Sequence, residues 1–364
     1  MFGQARLLSV IAAVHGELAA HRYQQSEITA AFADVVSPAG EHRPLIERIH
    51  RATGIQTRNL AIPLEAYAQL AGFGEANDAF IRVALEVGEA AIVGALREAG
   101  LAASDIDLVI STSVTGIATP SLDALLVPRV GFRPDIKRLP IFGLGCVAGA
   151  AGIARLHDYL LGHPDEIALL LSVELCSLTV QRDDCTMPNV VASGLFGDGA
   201  AAVILVGEKR AAGLGLTGPR VIASQSRLYP DTERTMGWDI SEHGFRVVLS
   251  AGVGDVISQY LREDVDAFLA TRDLKIGDVS RWVCHPGGPR VLQAIESCLT
   301  LDSGQLDVTW RSLAAIGNLS SASVLHVLRD TIQAQGIDKT SSGTPGLVMA
   351  MGPGFCAELV LLEW

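Results

Sequence analysis

The sequence has no Cys-x-x-Cys pair, no run rich in lysine and arginine, and no apolar stretch near the roughly 20 residues that span a bilayer. Each absence closes a class. The six cysteines (Cys146, Cys176, Cys185, Cys284, Cys298 and Cys356) are scattered, which argues against a zinc module or a disulfide framework and points to a reducing, cytoplasmic setting. A net charge of -12 with no local basic run opposes non-specific attraction to nucleic acid or anionic membrane. An anionic ligand must therefore be met by a few placed cations. Residues 7–14 are apolar and follow Arg6, but the basic flank is weak and no clear cleavage site follows. They read as a buried first strand rather than a secretory leader.

What is present is apolar material for a large core or two packed halves, with 49% hydrophobic residues in 364. After the first strand, Ser26 opens a short helix. Residues 44–58 form a second helical stretch and turn whose neighbourhood is basic, with Arg43, Arg48, Arg51 and Arg58. An alanine-rich helix over 76–99 shows apolar spacing at Phe80, Val83, Ala84 and Val87 and stops at Gly100. Strands are expected at 107–112, 138–142, 166–173 and 200–207, the third apolar throughout and so read as a fully buried strand of a parallel sheet. Residues 207–219, rich in glycine and charge, are the expected junction.

The chain repeats itself. Residues 100–112 resemble residues 273–285 position by position, each a helix end, a turn and a buried strand. Gly-Cys-Val-Ala-Gly-Ala at 145–150 falls over Gly-Asn-Leu-Ser-Ser-Ala at 317–322, which sets Asn318 opposite Cys146. Phe-Gly-Asp-Gly at 196–199 matches Met-Gly-Pro-Gly at 351–354, each followed by a strand. Three matches in one order indicate duplication: two halves, 1–212 and 213–364, related by a pseudo-twofold and stacked as a five-layer αβαβα arrangement.

Three residues could carry chemistry on one cleft between such halves. Cys146 stands at a glycine-flanked strand-to-helix turn, where backbone N–H groups and the helix dipole favour a thiolate. His285 ends a strand before Pro-Gly-Gly-Pro, at the carboxyl edge where ligands collect in α/β folds. Asn318 precedes a helix. Each also has a bland reading: buried thiol, structural histidine, helix cap. Together they describe an acyl-carrying thiol beside two donors able to stabilise a thioester oxygen while carboxylate leaves as carbon dioxide, with no metal or organic cofactor required. A hydrolase elbow fits less well, since glycine would be needed at Leu144 and Ala148.

Gly-Cys-Val-Ala-Gly at 145–149, Leu-Phe-Gly-Asp-Gly-Ala-Ala-Ala at 195–202, His-Pro-Gly-Gly-Pro at 285–289, Gly-Asn-Leu-Ser-Ser-Ala at 317–322 and Gly-Pro-Gly at 352–354 resemble the signature set of type III polyketide synthases, the chalcone and stilbene synthase family. The resemblance implies a thiolase-like duplicated α/β fold and a homodimer. It also implies CoA thioesters as the only small-molecule partners: an acyl-CoA starter loaded on Cys146, and malonyl-CoA decarboxylated with His285 and Asn318 for repeated Claisen condensation. By the same resemblance Phe196 stands between the CoA tunnel and the cavity, Gly287 and Gly288 line the site, and Arg48 meets CoA phosphates, with Arg51 and Arg58 as further candidates for them. Val247 stands near where the family has a second phenylalanine, with Phe245 two residues away. Thr119 takes the place of a methionine that reaches into the partner's cavity. The version of residues 172–179 with Cys176 and Thr179 resembles bacterial members that make alkylpyrones and alkylresorcinols from fatty acyl starters. Two alternatives stay open: a condensing enzyme of the ketoacyl-ACP synthase III type that stops after one extension, and a non-catalytic acyl-binding protein of the same fold. A biosynthetic thiolase is disfavoured, because Cys356 follows the Gly-Pro-Gly turn and begins the last strand instead of supplying the second thiol.

Overall fold

The computed structural model describes residues 8–182, 184–335 and 343–364; Arg6 and Leu7 of the apolar start lie outside them. The chain begins with β1 (Ser9–Leu18), β2 (His21–Gln24), α1 (Gln25–Val36), α2 (Arg43–Ala52), β3 (Thr57–Leu60), α3 (Leu64–Tyr67) and the long α4 (Phe73–Ala99). It continues with β4 (Leu108–Thr112), α5 (Leu122–Val130), β5 (Lys137–Ile141), α6 (Ala148–Gly162), β6 (Ile167–Leu175), α7 (Met187–Leu195), β7 (Asp198–Gly207) and α8 (Glu208–Leu214). Then come β8 (Arg220–Leu228), β9 (Met236–Ser241), β10 (Gly244–Leu249), α9 (Val253–Ala270), β11 (Arg281–Cys284) and α10 (Pro289–Leu299). The last elements are α11 (Asp307–Ile316), α12 (Ser323–Gln335), β12 (Pro345–Gly352) and β13 (Cys356–Glu363).

Side-chain alternation along the strands builds the layers. On β6, Ile167, Leu169, Leu171 and Val173 pack against α4, while Ala168 and Leu170 face a central core shared with α6 and α12. On β12, Val348 and Ala350 enter that same central core, and Leu347, Met349 and Met351 face a third core with α9 and α10. Strands covered on both faces must be apolar at every position, which is why these segments read as unbroken hydrophobic runs. Each fully buried side chain of this size contributes about 1.5–3 kcal/mol. The result is helix, sheet, helix, sheet, helix: a thiolase-like α/β fold.

Nine strands are hydrogen-bonded in the order β11-β12-β13-β8-β1-β7-β6-β4-β5. The two halves meet along a seam of two pairs, Ser9 with Val221 and Val10 with Arg220. The sheet is mixed. β6 is parallel to β4 as expected, but antiparallel to β7. Leu175 pairs with Asp198, so residues 176–197 stay at one end of the sheet and no crossover returns the chain to the other. Residues 207–219 are not a bare linker, because α8 occupies most of them; the expected division between 212 and 213 falls inside that helix.

The repeat register shifts at the site. Turns of 3-10 helix at Ala103–Asp105 and Ile276–Asp278 precede β4 and β11 in the alignment read from sequence. The turns at Gly145–Val147 and Ser320–Ala322 lead into α6 and α12, and superposing those sets Ser321, not Asn318, opposite Cys146. Asn318 lies two residues before the second turn, where it forms an isolated parallel bridge with Phe196.

Candidate active site

The turn that delivers Cys146 is shaped by contact with a second turn. Gly145 has φ +55°, and a Cβ there would lie 2.5 Å from Cδ of Pro353. A Cβ on Gly352 would lie 2.6 Å from the Leu144 carbonyl oxygen and 2.8 Å from the Val147 nitrogen. The Gly-Pro-Gly turn therefore lies directly on the cysteine turn, and both need glycine for that closeness. A Cβ on Gly149 would strike the Ser321 carbonyl oxygen, so the first turns of α6 and α12 come together at the same place. Cys146 is buried, with Sγ 3.6 Å from Ser320 Oγ.

His285 follows β11, where its backbone N–H donates to the Met349 carbonyl at 2.8 Å. Its Nδ1 is buried without a partner among the described residues, which leaves Nε2 as the nitrogen toward the cavity. Burial lowers the imidazole to about 3, so the ring is neutral at physiological pH and carries one N–H. The Asn318 side-chain oxygen accepts from the Ser320 N–H at 2.8 Å and from Ser323 Oγ at 3.3 Å. Its backbone is fixed from both sides, N–H to the Leu195 carbonyl at 2.9 Å and carbonyl from the Gly197 N–H at 2.9 Å. With the carbonyl end engaged, the amide NH2 is the end offered to the cavity. Cys146, His285 and Asn318 border one cavity of about 70 Å³ together with Phe196, Gly287, Pro353 and Phe355.

A second cavity of about 410 Å³ adjoins it, lined among others by Ile28, Leu60, Tyr67, Thr179 and Phe245. Thr115, Cys176, Phe196, Trp238 and Val247 border both cavities and form the partition. Phe245 meets Phe73 edge-on at 5.4 Å and Trp238 at 6.0 Å, so the aromatic mass near Val247 sits on the outer side. The other expected site residues are not drawn in. Gly288 precedes α10 with φ +130° and borders neither cavity. Arg48 and Arg51 are exposed on α2, and Thr119 is exposed in the loop after β4; none of the three lines either cavity of this chain. Sequence reasoning missed Trp238 and the β9–β10 hairpin that carries it. Its signal was the alternation of Met236 and Trp238 on one strand with Phe245, Val247 and Leu249 on the other.

Electrostatics correct one expectation. Burial pushes the Cys146 thiol up to about 12, opposed by the Ser320 hydrogen bond and assisted by the charge of Glu174. At neutral pH the group is therefore a thiol, not a thiolate. Glu174 is itself buried and raised by burial; it accepts from Ser321 Oγ, from Thr115 Oγ1 at 2.9 Å and from the Val114 N–H at 3.1 Å. A neutral imidazole beside a thiol can take its proton as the thiol attacks. In the other tautomer the ring, together with the asparagine amide, can donate to an oxygen that gains charge.

Models of the chalcone and stilbene synthases match nearly the whole chain, the N-terminal domain over residues 3–209 and the C-terminal domain over 220–363. The chain is 55% identical over 357 residues to the 1,3,6,8-tetrahydroxynaphthalene synthase of Streptomyces peucetius subsp. caesius, covering 97% of this chain and 93% of that one. It is 31% identical to the phloroglucinol synthase of Pseudomonas fluorescens over 88% of this chain and 89% of that one. The crystal structure of the 1,3,6,8-tetrahydroxynaphthalene synthase of Streptomyces coelicolor superposes with a TM-score of 0.90 at 31% identity, covering 98% of this chain and 99% of that one.

Proposed function

The chain belongs to the chalcone and stilbene synthase family of type III polyketide synthases, acyltransferases that condense malonyl-CoA units, and from that membership we propose that it builds an aromatic polyketide from malonyl-CoA on Cys146. The observation that carries the reading is the single small cavity shared by Cys146, His285 and Asn318, partitioned by Phe196 from a larger chamber. Cys146 attacks the acyl-CoA carbonyl while His285 takes its proton and returns it to the departing CoA thiol, leaving an enzyme thioester. Malonyl-CoA then loses its carboxylate as carbon dioxide, and the Asn318 amide, with His285 now in the tautomer that carries its one proton on Nε2, stabilises the enolate oxygen that forms. The enolate carbon attacks the Cys146 thioester, displaces the thiolate and lengthens the chain by two carbons. A single-extension condensing enzyme and a non-catalytic binder, both open from sequence, give way to this reading.

The starter is proposed as malonyl-CoA, because the 55% identical relative is named for a product whose skeleton is a whole number of two-carbon units. A second reading, a fatty acyl starter closed to an alkylpyrone or alkylresorcinol, draws on the 410 Å³ chamber, which Ile28, Ala31, Val35 and Leu60 make largely aliphatic beside Cys176 and Thr179. Mass spectrometry of products from malonyl-CoA alone, and with acyl-CoAs of increasing length, decides between them. An aromatic tetraol from malonyl-CoA alone supports the first; no product without an added acyl starter overturns it. We also propose the homodimer. Arg138 is neutralised by Asp123 at 2.8 Å and Lys137 by Glu166 at 3.0 Å, which leaves β5 an open sheet edge with Leu139 exposed and Phe142 beyond it. On that reading Arg48 and Arg51 meet CoA phosphates at the surface and Thr119 faces the partner copy. Among the described residues no helix is long and apolar enough to cross a membrane.

A further inference from the structure

A buried cation lies behind the partition and the proposed chemistry gives it no task. Arg58 is 2% exposed and follows α2 within β3. Its Nε donates to Gln25 Oε1 at 2.9 Å and its Nη1 to the Phe196 carbonyl at 2.6 Å. Gln25 in turn donates from Nε2 to the Gly194 carbonyl at 2.8 Å, so one arginine–glutamine pair grips the end of α7 at two carbonyls. The aliphatic stem of Arg58 supports the other side of the bridge. A Cβ on Gly317, where φ is +74°, would lie 3.0 Å from Arg58 Cδ and 2.9 Å from the Leu195 carbonyl oxygen. The strand segments of Phe196 and Asn318, already paired through Gly197 and Leu195, thus share one support.

Nearby Asp198 does not compete for the guanidinium, because its oxygens accept from the Ala61 N–H at 2.6 Å, the Ser177 N–H at 2.8 Å and the Ser177 hydroxyl. Burial lowers Arg58 only to about 10, so the charge persists at neutral pH and its hydrogen bonds are charge-assisted. Nε and Nη1 hold the grip, while Nη2 is buried without a hydrogen-bond partner among the described residues and Arg58 also borders the 410 Å³ chamber. Among the described residues no hydrogen bond runs directly from this pair to the Cys146 turn; the path between them passes through the Asn318 side chain and Ser320.

We propose that Arg58 and Gln25 are positioning residues for the condensation step: together they set the Phe196 partition and the Asn318 amide, without acting on the loading of Cys146. The inference rests on the proposed decarboxylative role of Asn318. It is tested with Arg58→Lys, Arg58→Met and Gln25→Leu, each followed for acylation of Cys146 by intact-protein mass spectrometry, for malonyl-CoA decarboxylation, and for thermal midpoint. Loss of a charge-assisted hydrogen bond corresponds to about a ten- to hundredfold fall in the step it serves. The expected result is such a fall in the kcat of decarboxylation, with starter acylation within about threefold of the parent, partial rescue in Arg58→Lys over Arg58→Met, and more short, prematurely released chains. Equal loss of both steps, or no loss of either in folded protein, overturns the proposal. If the Arg58 variants fail to fold, Gln25→Leu, which keeps the charge in place, decides by the same split. A parent enzyme that loads Cys146 but does not decarboxylate malonyl-CoA would overturn the functional reading instead.

Discussion

Desolvation outweighs the helix terminus at Cys146. A helix N-terminus stabilises an anion by about 0.3–1 kcal/mol, less than one pKa unit, whereas burial carries the thiol to about 12. Iodoacetamide labelling of Cys146 in substrate-free enzyme should therefore keep accelerating above pH 9 rather than levelling near the ordinary thiol value; a plateau at about 8.5 would contradict the environment described. Glu174→Gln removes a nearby negative charge and should speed labelling about two- to fivefold at pH 8, read by mass spectrometry. Asn318→Ala should lower malonyl-CoA decarboxylation by about a hundredfold while leaving acylation of Cys146 nearly intact. The trio was legible in the sequence because glycine-rich turns and strand ends mark where side chains leave a sheet. The protonation state was not, since burial by distant segments such as 349–355 has no local signature.

At the scale of elements, the contact of α6 with α12 leaves no room at Gly149. Gly149→Ala would press a methyl into the Ser321 carbonyl and Val324, and should destabilise the protein by about 1–3 kcal/mol or more, measured as a lower urea midpoint with unchanged slope. The buried strands and α4 could be read from apolar runs and helical spacing because packing on both faces imposes a uniform pattern. The direction of β7 could not, since strand composition is blind to which way the chain returns. The β9–β10 hairpin escaped for a different reason: among the described residues it pairs with no strand of the main sheet, and Trp238, Phe245 and Val247 serve the cavities while Met236 and Leu249 pack against the third core. The repeat drew attention to Asn318 by aligning it with Cys146, whereas matching the 3-10 turns before α6 and α12 aligns Ser321 there, because turn geometry is not written in the motif letters.

For the whole molecule, four buried histidines, His50, His157, His285 and His326, set the acid limit. Burial lowers His50 to about 4 and both His285 and His326 to about 3, from an ordinary value of 6.5. The unfolded chain therefore binds more protons than the folded one below 6.5, and stability falls as pH falls through that window. Asp198, raised by burial to about 6, works the other way by keeping its proton in the fold. Glu174 and Glu358, raised by burial, act with Asp198, and His157, lowered by burial, acts with the other rings, so unfolding still takes up protons between pH 6 and 5. The thermal midpoint should drop steeply over that interval, and a flat profile would contradict the burial of these rings. If the proposed homodimer uses this sheet edge, the parent should run as a dimer and Leu139→Arg as a monomer in size-exclusion chromatography with light scattering; a monomeric parent would overturn the homodimer, and a variant that elutes unchanged would place the interface elsewhere.

The position of β1 has a consequence in time. It occupies the middle of the nine strands, and its neighbours β7 and β8 lie about two hundred residues further along the chain. The ribosome must deliver all of that sequence before the first strand can find either edge it belongs to. Until then Val10, Ile11, Ala13 and Val14, all buried in the finished fold, have no strand to pair with. Such long-range closure makes slow folding the expectation, and it makes the nascent chain a candidate for chaperone capture through β1.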